Sequence, residues 1–425
     1  MDRRAGTVTD KGLRMAAALF LLALYLAPLG ATGQDTPREQ AWWAFQQRAY
    51  PLGHIPAGAE ARALREIQMA HALSRLAPGS AVAADRWVSI GPAPILNPNN
   101  GRHLSGRVAA VAVDPADPNH WLIGTANGGV WETRDAGAIW TAKTDDQAAL
   151  AIGAVAFAPS NASLVYAGTG QRSSTQTGAG LLKSGDGGAT WALLAASTFA
   201  RTAFSDIKVH PTDPSVLLAA TVHASAGSPF YPPVPVPNPP PRGIFKSSDG
   251  GTNWSQRLNG EATDLEVDPQ SFNNQYAGLG DFVGSAVNGV YRSTDAGETW
   301  TAIDGPWLTM EGGVGRVELA IAPSNANVLY VSIQDALDGR GPADLGLLGL
   351  FRTDNAWDPT PVWRQIPTGA TDDGTGVHGY CGWDAAQVSI SAITITTSSS
   401  IPPTPRCSTP VGFRCGNLTA LSGPV

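Results

Sequence analysis

Ser293-Thr-Asp295-Ala-Gly297-Glu-Thr299-Trp300 is the stretch that decides the fold, because the chain states it three times earlier with small changes. Thr133 to Trp140 reads TRDAGAIW, Ser184 to Trp191 reads SGDGGATW, and Ser247 to Trp254 reads SSDGGTNW. The shared pattern is S/T-x-D-x-G-x-T/N-W, with only Ile139 off it. The aspartates at 135, 186, 249 and 295 stand 51, 63 and 46 residues apart. A period of about 40–50 residues with one tight turn per unit is the signature of a propeller.

The unit has a physical logic. Gly137, Gly188, Gly251 and Gly297 supply the positive φ of a tight hairpin turn. The aspartate accepts hydrogen bonds from main-chain N–H groups of its own turn. Trp140, Trp191, Trp254 and Trp300 then open the outgoing strand and bring a large apolar face to a neighbouring unit.

Each unit also carries two strands upstream. In the first, RVAAVAV (107–113) leads into a Pro/Asn turn, then WLIGT (121–125), then GVW (129–131). The later inner strands are Ala154–Phe157, Asp206–Val209, Asp264–Val267 and Val317–Ile321. The expected fold is therefore all-β: four-stranded blades, five to six of them visible, in a ring left incomplete. A fifth unit carries a degraded turn at Phe351-Arg-Thr-Asp-Asn355, followed by Trp363.

The four turns resemble the Asp-box, or BNR repeat, of sialidase-like and sortilin-like propellers, over about Trp87 to Pro367. The resemblance implies that Asp135, Asp186, Asp249 and Asp295 are fold residues away from the active face.

With 425 residues, 48 glycines, 33 prolines and only 15% charged residues, the chain suits short strands joined by turns. A net charge of −7 and the absence of a basic cluster argue against a nucleic-acid groove. No Walker-type loop or zinc-spaced set occurs, so no metal and no cofactor is expected. Arg3, Arg4, Lys11 and Arg14 precede an apolar run from Met15 to Leu29, then Gly30, Ala31 and Gly33. That is the layout of a signal peptide over residues 1–33, shorter than the ~20 residues of a membrane span. An uncleaved anchor is the alternative; with cleavage no span is expected, and the body is secreted or exposed outside the cell envelope. Residues 34–85 read as a helical lead-in, with Leu64, Ile67, Leu73 and Leu76 at helical spacing. A pro-segment or a partner-binding helix is the other reading. The propeller is assigned to residues 86–385.

Residues 386–425 carry no repeat signature. An offset reading, the third base of each codon with the first two of the next, lets Ile393 to Leu418 encode HHHYIVVDPTDPQVLYAGGVPVWKS under permitted codons. The expectation is an out-of-frame, disordered tail in place of a further blade. Cys407 and Cys415 then carry no designed disulfide, and Cys381 is left without an assigned partner.

Loop length locates function. The connections between second and third strands are long and variable: Gln171–Gly180, Val222–Gly243, Gly280–Asn288 and Gln334–Gly349. All fall on the face opposite the repeated turns, and insertions confined to one face mark a binding surface. Within them the Pro-rich stretch from Phe230 reads as a PPII ligand or as a loop folded on its own domain. Gln171, Arg172, Asp281, Phe282 and Asp335 are the expected contacts to a protein, peptide or glycan. Arg107, Arg172 and Arg316 have the alternative of pairing with main-chain carbonyls.

The reading favoured is a non-catalytic binding propeller. The alternative is a glycosidase, sialidase-like or xyloglucanase-like, which needs two carboxylates; Asp281, Asp335 and Asp338 are the acids on the variable face. Sialidases resemble one another in an Arg-Ile-Pro motif that is absent here. Xyloglucan-type glycosidases carry an acid in a T-D-x-G-G-x-Y string; the similar string here is Thr125 to Trp131, with Ala126 where the acid falls.

Overall fold

The computed structural model describes residues 106–171, 177–224, 240–281, 284–310, 312–336 and 347–366. It also describes isolated helical residues between Arg62 and Met69 and two strand pairs near residues 95 and 103. The latter form a two-stranded ribbon, β1 (Ile95–Leu96) and β2 (His103–Leu104).

Five four-stranded antiparallel sheets follow, each in simple sequence order. Blade 1 is β3 (Val108–Val113), β4 (Trp121–Thr125), β5 (Val130–Thr133) and β6 (Thr141–Ala142). Blade 2 is β7 (Ile152–Ala158), β8 (Asn161–Thr169), β9 (Leu181–Ser184) and β10 (Ala192–Leu194). Blade 3 is β11 (Thr202–Val209), β12 (Leu217–His223), β13 (Gly243–Ser247) and β14 (Ser255–Asn259). Blade 4 is β15 (Ala262–Asp268), β16 (Ser271–Leu279), β17 (Gly289–Ser293) and β18 (Thr301–Ile303). Blade 5 is β19 (Val314–Ile321), β20 (Leu329–Asp335), β21 (Leu347–Thr353) and β22 (Trp363–Ile366).

Inner strands pack side by side in chain order, β3 on β7, β7 on β11, β11 on β15 and β15 on β19. This is a β-propeller. No comparable packing of β19 on β3 occurs among the described residues. Val108, Val111 and Val113 of β3 accordingly stay about half exposed.

Close approach of neighbouring blades explains the small residues. A Cβ on Gly153 would lie 1.9 Å from the Phe204 carbonyl oxygen of the next inner strand. Where the equivalent residue is polar it stitches blades instead. The Thr263 hydroxyl donates to the Val317 carbonyl at 2.6 Å, and that of Ser205 donates to the Ala262 carbonyl at 2.5 Å. The apolar cores lie between blades. One gathers Tyr276 and Val290 of blade 4 with Val317, Leu329, Val331 and Phe351 of blade 5 around the buried Trp307.

The repeated turns are built as the sequence implies, with one addition. In each, the Ser/Thr hydroxyl donates to the aspartate, as from Ser184 to Asp186 at 2.7 Å. The same hydroxyl accepts the turn glycine's N–H: Gly137 to Thr133 at 2.9 Å, Gly188 to Ser184 at 2.8 Å, Gly251 to Ser247 and Gly297 to Ser293 at 3.0 Å. The expected positive φ is present at all four glycines, 97° at Gly137, 95° at Gly188, 90° at Gly251 and 79° at Gly297. The carboxylate oxygen that binds the hydroxyl also accepts the N–H four residues on, at 2.8–2.9 Å in all four copies.

The addition is a second left-handed residue, the one directly after the aspartate. Its φ is 55° at Ala136, 71° at Gly187, 72° at Gly250 and 59° at Ala296. Trp140, Trp191, Trp254 and Trp300 are half-buried. The last three fold back so that the indole N–H meets the carbonyl of Gly188, Gly251 and Gly297 respectively. In blade 5, Asn355 stands in for the aspartate, bonded to the Thr353 hydroxyl.

Candidate functional site

Strand register defines a ring of equivalent positions on the long-loop face. Gly124, Gly168, Ala220, Gly278 and Ser332 each pair with the matching inner-strand residue: Ala110, Ala154, Asp206, Asp264 and Glu318. Three residues further on, where the second strand leaves the sheet, stand Asn127, Gln171, His223, Asp281 and Asp335. Every blade thus places one polar side chain on the same rim. Gln171, Asp281 and Asp335, expected as contacts from loop position alone, are equivalent residues of neighbouring or near-neighbouring blades.

The rim is tied together across blades. Arg107 of blade 1 donates to Gln171 of blade 2 at 2.8 Å. His223 meets the buried Glu261 of blade 4 at 2.9 Å, and Arg242 pairs with the same carboxylate. Asn288 links three groups: its side chain receives the Asp281 N–H, and donates to the carbonyls of Asp281 and of Val314 in blade 5. Val314 is in turn the ladder partner of Asp335. One short path, Asp281–Asn288–Val314–Asp335, therefore fixes both acids on adjacent blades. Gly312 passes against the Asp335 carboxylate with a φ of 117°, a backbone conformation that favours glycine.

Two arginines have side-chain partners. Arg107 donates to the Gln171 amide oxygen, and Arg316 pairs with Glu318 two residues along its own strand. A carboxylate or amide within reach offers a stronger acceptor than a carbonyl already paired in a sheet. Arg172, Phe282 and Asp338 lie outside the described residues.

Below the rim the inner strands carry charge on one arc of the axial channel. Asp206 and Lys208 of β11 and Asp264 and Glu266 of β15 occupy two registers that are alanine on β3 and β7; on β19 Glu318 and Ala320 hold them, with Arg316 two residues before Glu318. Lys208 sits 3.1 Å from Asp206 and 3.7 Å from Glu266. Asp264 is held by the N–H of Leu265 (2.9 Å) and by that of Leu319 in the next blade (2.6 Å). Burial, then the charges of Glu318, Glu266 and Asp206, push the Asp264 carboxyl well above its usual range, with Lys208 pulling the other way. Burial also raises Glu266 against the pull of Lys208. Burial opposes the Lys208 ammonium, yet Asp206, Glu266 and Asp264 outweigh it and raise its pKa.

Apart from Arg316, these channel charges were not among the residues singled out from sequence. The signal was present: D-x-K stands on β11, D-x-E on β15 and E-x-A on β19 where β3 and β7 read A-x-A. Among the described residues no group of three or more His, Cys, Asp or Glu is arranged to hold a metal ion, and no helix is long and apolar enough to cross a membrane. A cavity of about 360 Å³ lies at the opposite, short-turn end of the axis, rimmed by Pro115, Pro159, Pro211 and Pro269. Its wall is mostly apolar, with Lys208 and Asp268 as its charged members, so the polar rim on the long-loop face remains the richer recognition surface.

No protein-family model matches the chain. A curated xyloglucanase from Hypocrea jecorina (strain QM6a) is 28% identical, over 52% of this chain and 29% of its own length. Among solved structures, an ancestral GH74 enzyme is similar with a TM-score of 0.47 and 22% identity, covering 64% of this chain and 32% of that one. YCF48 from Cyanidioschyzon merolae is similar with a TM-score of 0.40 and 15% identity, over 62% and 72% of the two chains. The chain thus spans less than a third of the length of the xyloglucanase it matches.

Proposed function

We propose that this chain is part of an exported, glycoside-hydrolase-like propeller that engages a polysaccharide of the xyloglucan class across its long-loop face. The observation that carries this is the rim of one polar residue per blade, Asn127, Gln171, His223, Asp281 and Asp335, set around the channel mouth. Carboxylates, amides and an imidazole in fixed positions suit the alternating donors and acceptors of sugar hydroxyls. The likeness to a xyloglucanase at 28% identity supports the substrate class. In this reading the four repeated turns are Asp-boxes that hold blade geometry and take no part in recognition. Hydrolysis requires a carboxyl pair across the scissile bond, and Asp281 and Asp335 on adjacent blades are its best-placed members.

A second reading, glycan or peptide binding without cleavage, is favoured by Ala126. Its N–H is bonded to the Arg107 carbonyl at 3.0 Å, and its methyl is buried at the position where the resembling string has an acid. Titration of xyloglucan oligosaccharides by calorimetry, with a parallel reducing-end assay, separates the two. Binding weakened by Asp281→Asn or Asp335→Asn is expected. Reducing-end release abolished by either change would establish the hydrolase. Binding with no release would leave the binding propeller, and an absence of both would refute the proposal.

A further inference from the structure

Two positions of the repeat hand each blade on to the next. The residue before the turn Ser/Thr reaches across to a turn carbonyl: Lys183 to Gly250 at 2.9 Å, Lys246 to Ala296 at 2.7 Å, and Arg292 to Ala356 and Asp358 at 3.1 and 2.7 Å. A tyrosine in the second strand does the same. The Tyr166 hydroxyl donates to the Pro214 carbonyl of blade 3 at 3.2 Å, and that of Tyr276 to the Ala356 carbonyl of blade 5. Tyr166 and Tyr276 are fully buried by the blade that follows.

Blade 5 carries both devices, Arg352 before Thr353 and Tyr330 in β20. Here they turn on each other: Arg352 donates to the Tyr330 hydroxyl at 2.9 Å and lies 5.3 Å from its ring, with Asp354 as a further acceptor. Tyr330 remains half-buried. The same chemistry that joins blades 2 to 3, 3 to 4 and 4 to 5 is therefore present on the far flank of blade 5.

We propose that this flank is a seat for a sixth blade continuing the polypeptide after Ile366, in the register that the offset reading of residues 393–418 spells. That string supplies the matching parts. Its D-P-T-D-P copies the His210-Pro-Thr-Asp-Pro214 turn whose last carbonyl receives Tyr166. Its L-Y-A-G-G copies Val165-Tyr-Ala-Gly168, and its final K-S copies Lys183-Ser184. Turn, second strand and lysine-serine pair come in the order of the repeat, the pair following the second strand after a shorter connection than in blade 2.

The test compares the chain as it stands with a version whose residues 393–418 are replaced by that string, using amide hydrogen exchange. Exchange in β12 and β16 reports whether the other blades are intact. The expected result is roughly tenfold slower exchange in β20 and β21 of the replaced protein, a factor near the ~1.4 kcal/mol of one well-made contact set. Tyr330→Phe should cost the replaced protein more protection than the unreplaced chain, in which it removes the Arg352 bond alone. Equal exchange in β20 and β21 with β12 and β16 intact would overturn the proposal. So would protection already present in the unreplaced chain, which assigns the flank to its own residues 367–425. Protection that grows with protein concentration would give the flank to a second copy and overturn it equally.

Discussion

The Lys246 ammonium of blade 3 lies 2.7 Å from the Ala296 carbonyl of blade 4, and 2.8 Å from the Glu298 carboxylate of the same turn. One mostly buried cation thus caps the turn of the next blade. Lys246→Met keeps the apolar stem and deletes the donor, leaving a carbonyl without its partner. The expected loss is about 1–3 kcal/mol, read as a shift of the denaturant midpoint with unchanged slope. A change within error would show that the contact contributes nothing.

Ala136 and Ala296 hold the left-handed conformation that Gly187 and Gly250 hold in the sister turns. A β-carbon there costs about 1–2 kcal/mol, and glycine gives back part of that through greater freedom when unfolded. Ala136→Gly and Ala296→Gly should each stabilise by roughly 0.5–1 kcal/mol. Thermal unfolding of the single and double variants checks this, and a lowered midpoint would count against the strain.

The turn carboxylates set an acid limit. The Thr190 hydroxyl and N–H, then the Ser184 hydroxyl, hold Asp186 at about 2. The Asn253 N–H and side chain do the same for Asp249, at about 2. At Asp295 a little burial pushes upward, but the bonds from Thr299 and Ser293 hold it at about 2. Each folded value lies below the ordinary carboxylate value of 3.8. Their stabilisation is therefore complete above that value and disappears as pH falls toward 2. Acid titration followed by tryptophan fluorescence should show a stability decline in that window. The decline should be shallower in Asp186→Asn, and an identical slope would refute the assignment.

Asp264 has the opposite sign. Its folded value is raised, so the folded state binds the extra proton and stability falls as pH rises above the unfolded value of 3.8. Leu265 and Leu319 bond different oxygens of Asp264, so Asp264→Asn keeps an acceptor for one of the two N–H groups and removes the repulsion from Glu318 and Glu266. Relative to the parent it should gain stability as pH rises from about 4 to 7. Asp264→Ala loses both acceptor bonds and should be destabilised by about 1–3 kcal/mol. An asparagine variant as damaged as the alanine one would contradict this account.

Local chemistry made the blade legible in one dimension. A hydroxyl, a carboxylate and a glycine at fixed spacing can close only a narrow set of turns, so S-x-D-x-G names the turn and its recurrence names the propeller. The left-handed backbone at Gly137, Gly188, Gly251 and Gly297 was readable for that reason. Loop lengths likewise gave the variable face, because alternate turns of a meandering sheet must lie on opposite sides. The string alone did not show that Ala136 and Ala296 share the left-handed conformation of Gly187 and Gly250. That follows only from the path the closed turn imposes.

The meeting of residues far apart in the chain was decided by the tertiary structure. Asp264 and Leu319 are 55 positions apart and touch because β15 and β19 lie side by side about the axis. Burial, then that proximity, raises the proton affinity of Asp264 and Glu266, and no reading of separate strands sums those effects. Gln171, Asp281 and Asp335 came from sequence as loop residues; strand register made them equivalent points on one rim with Asn127 and His223. Short-range hydrogen bonding is written in consecutive residues, while electrostatic coupling and ligand geometry depend on distances that only the packing of blade against blade creates.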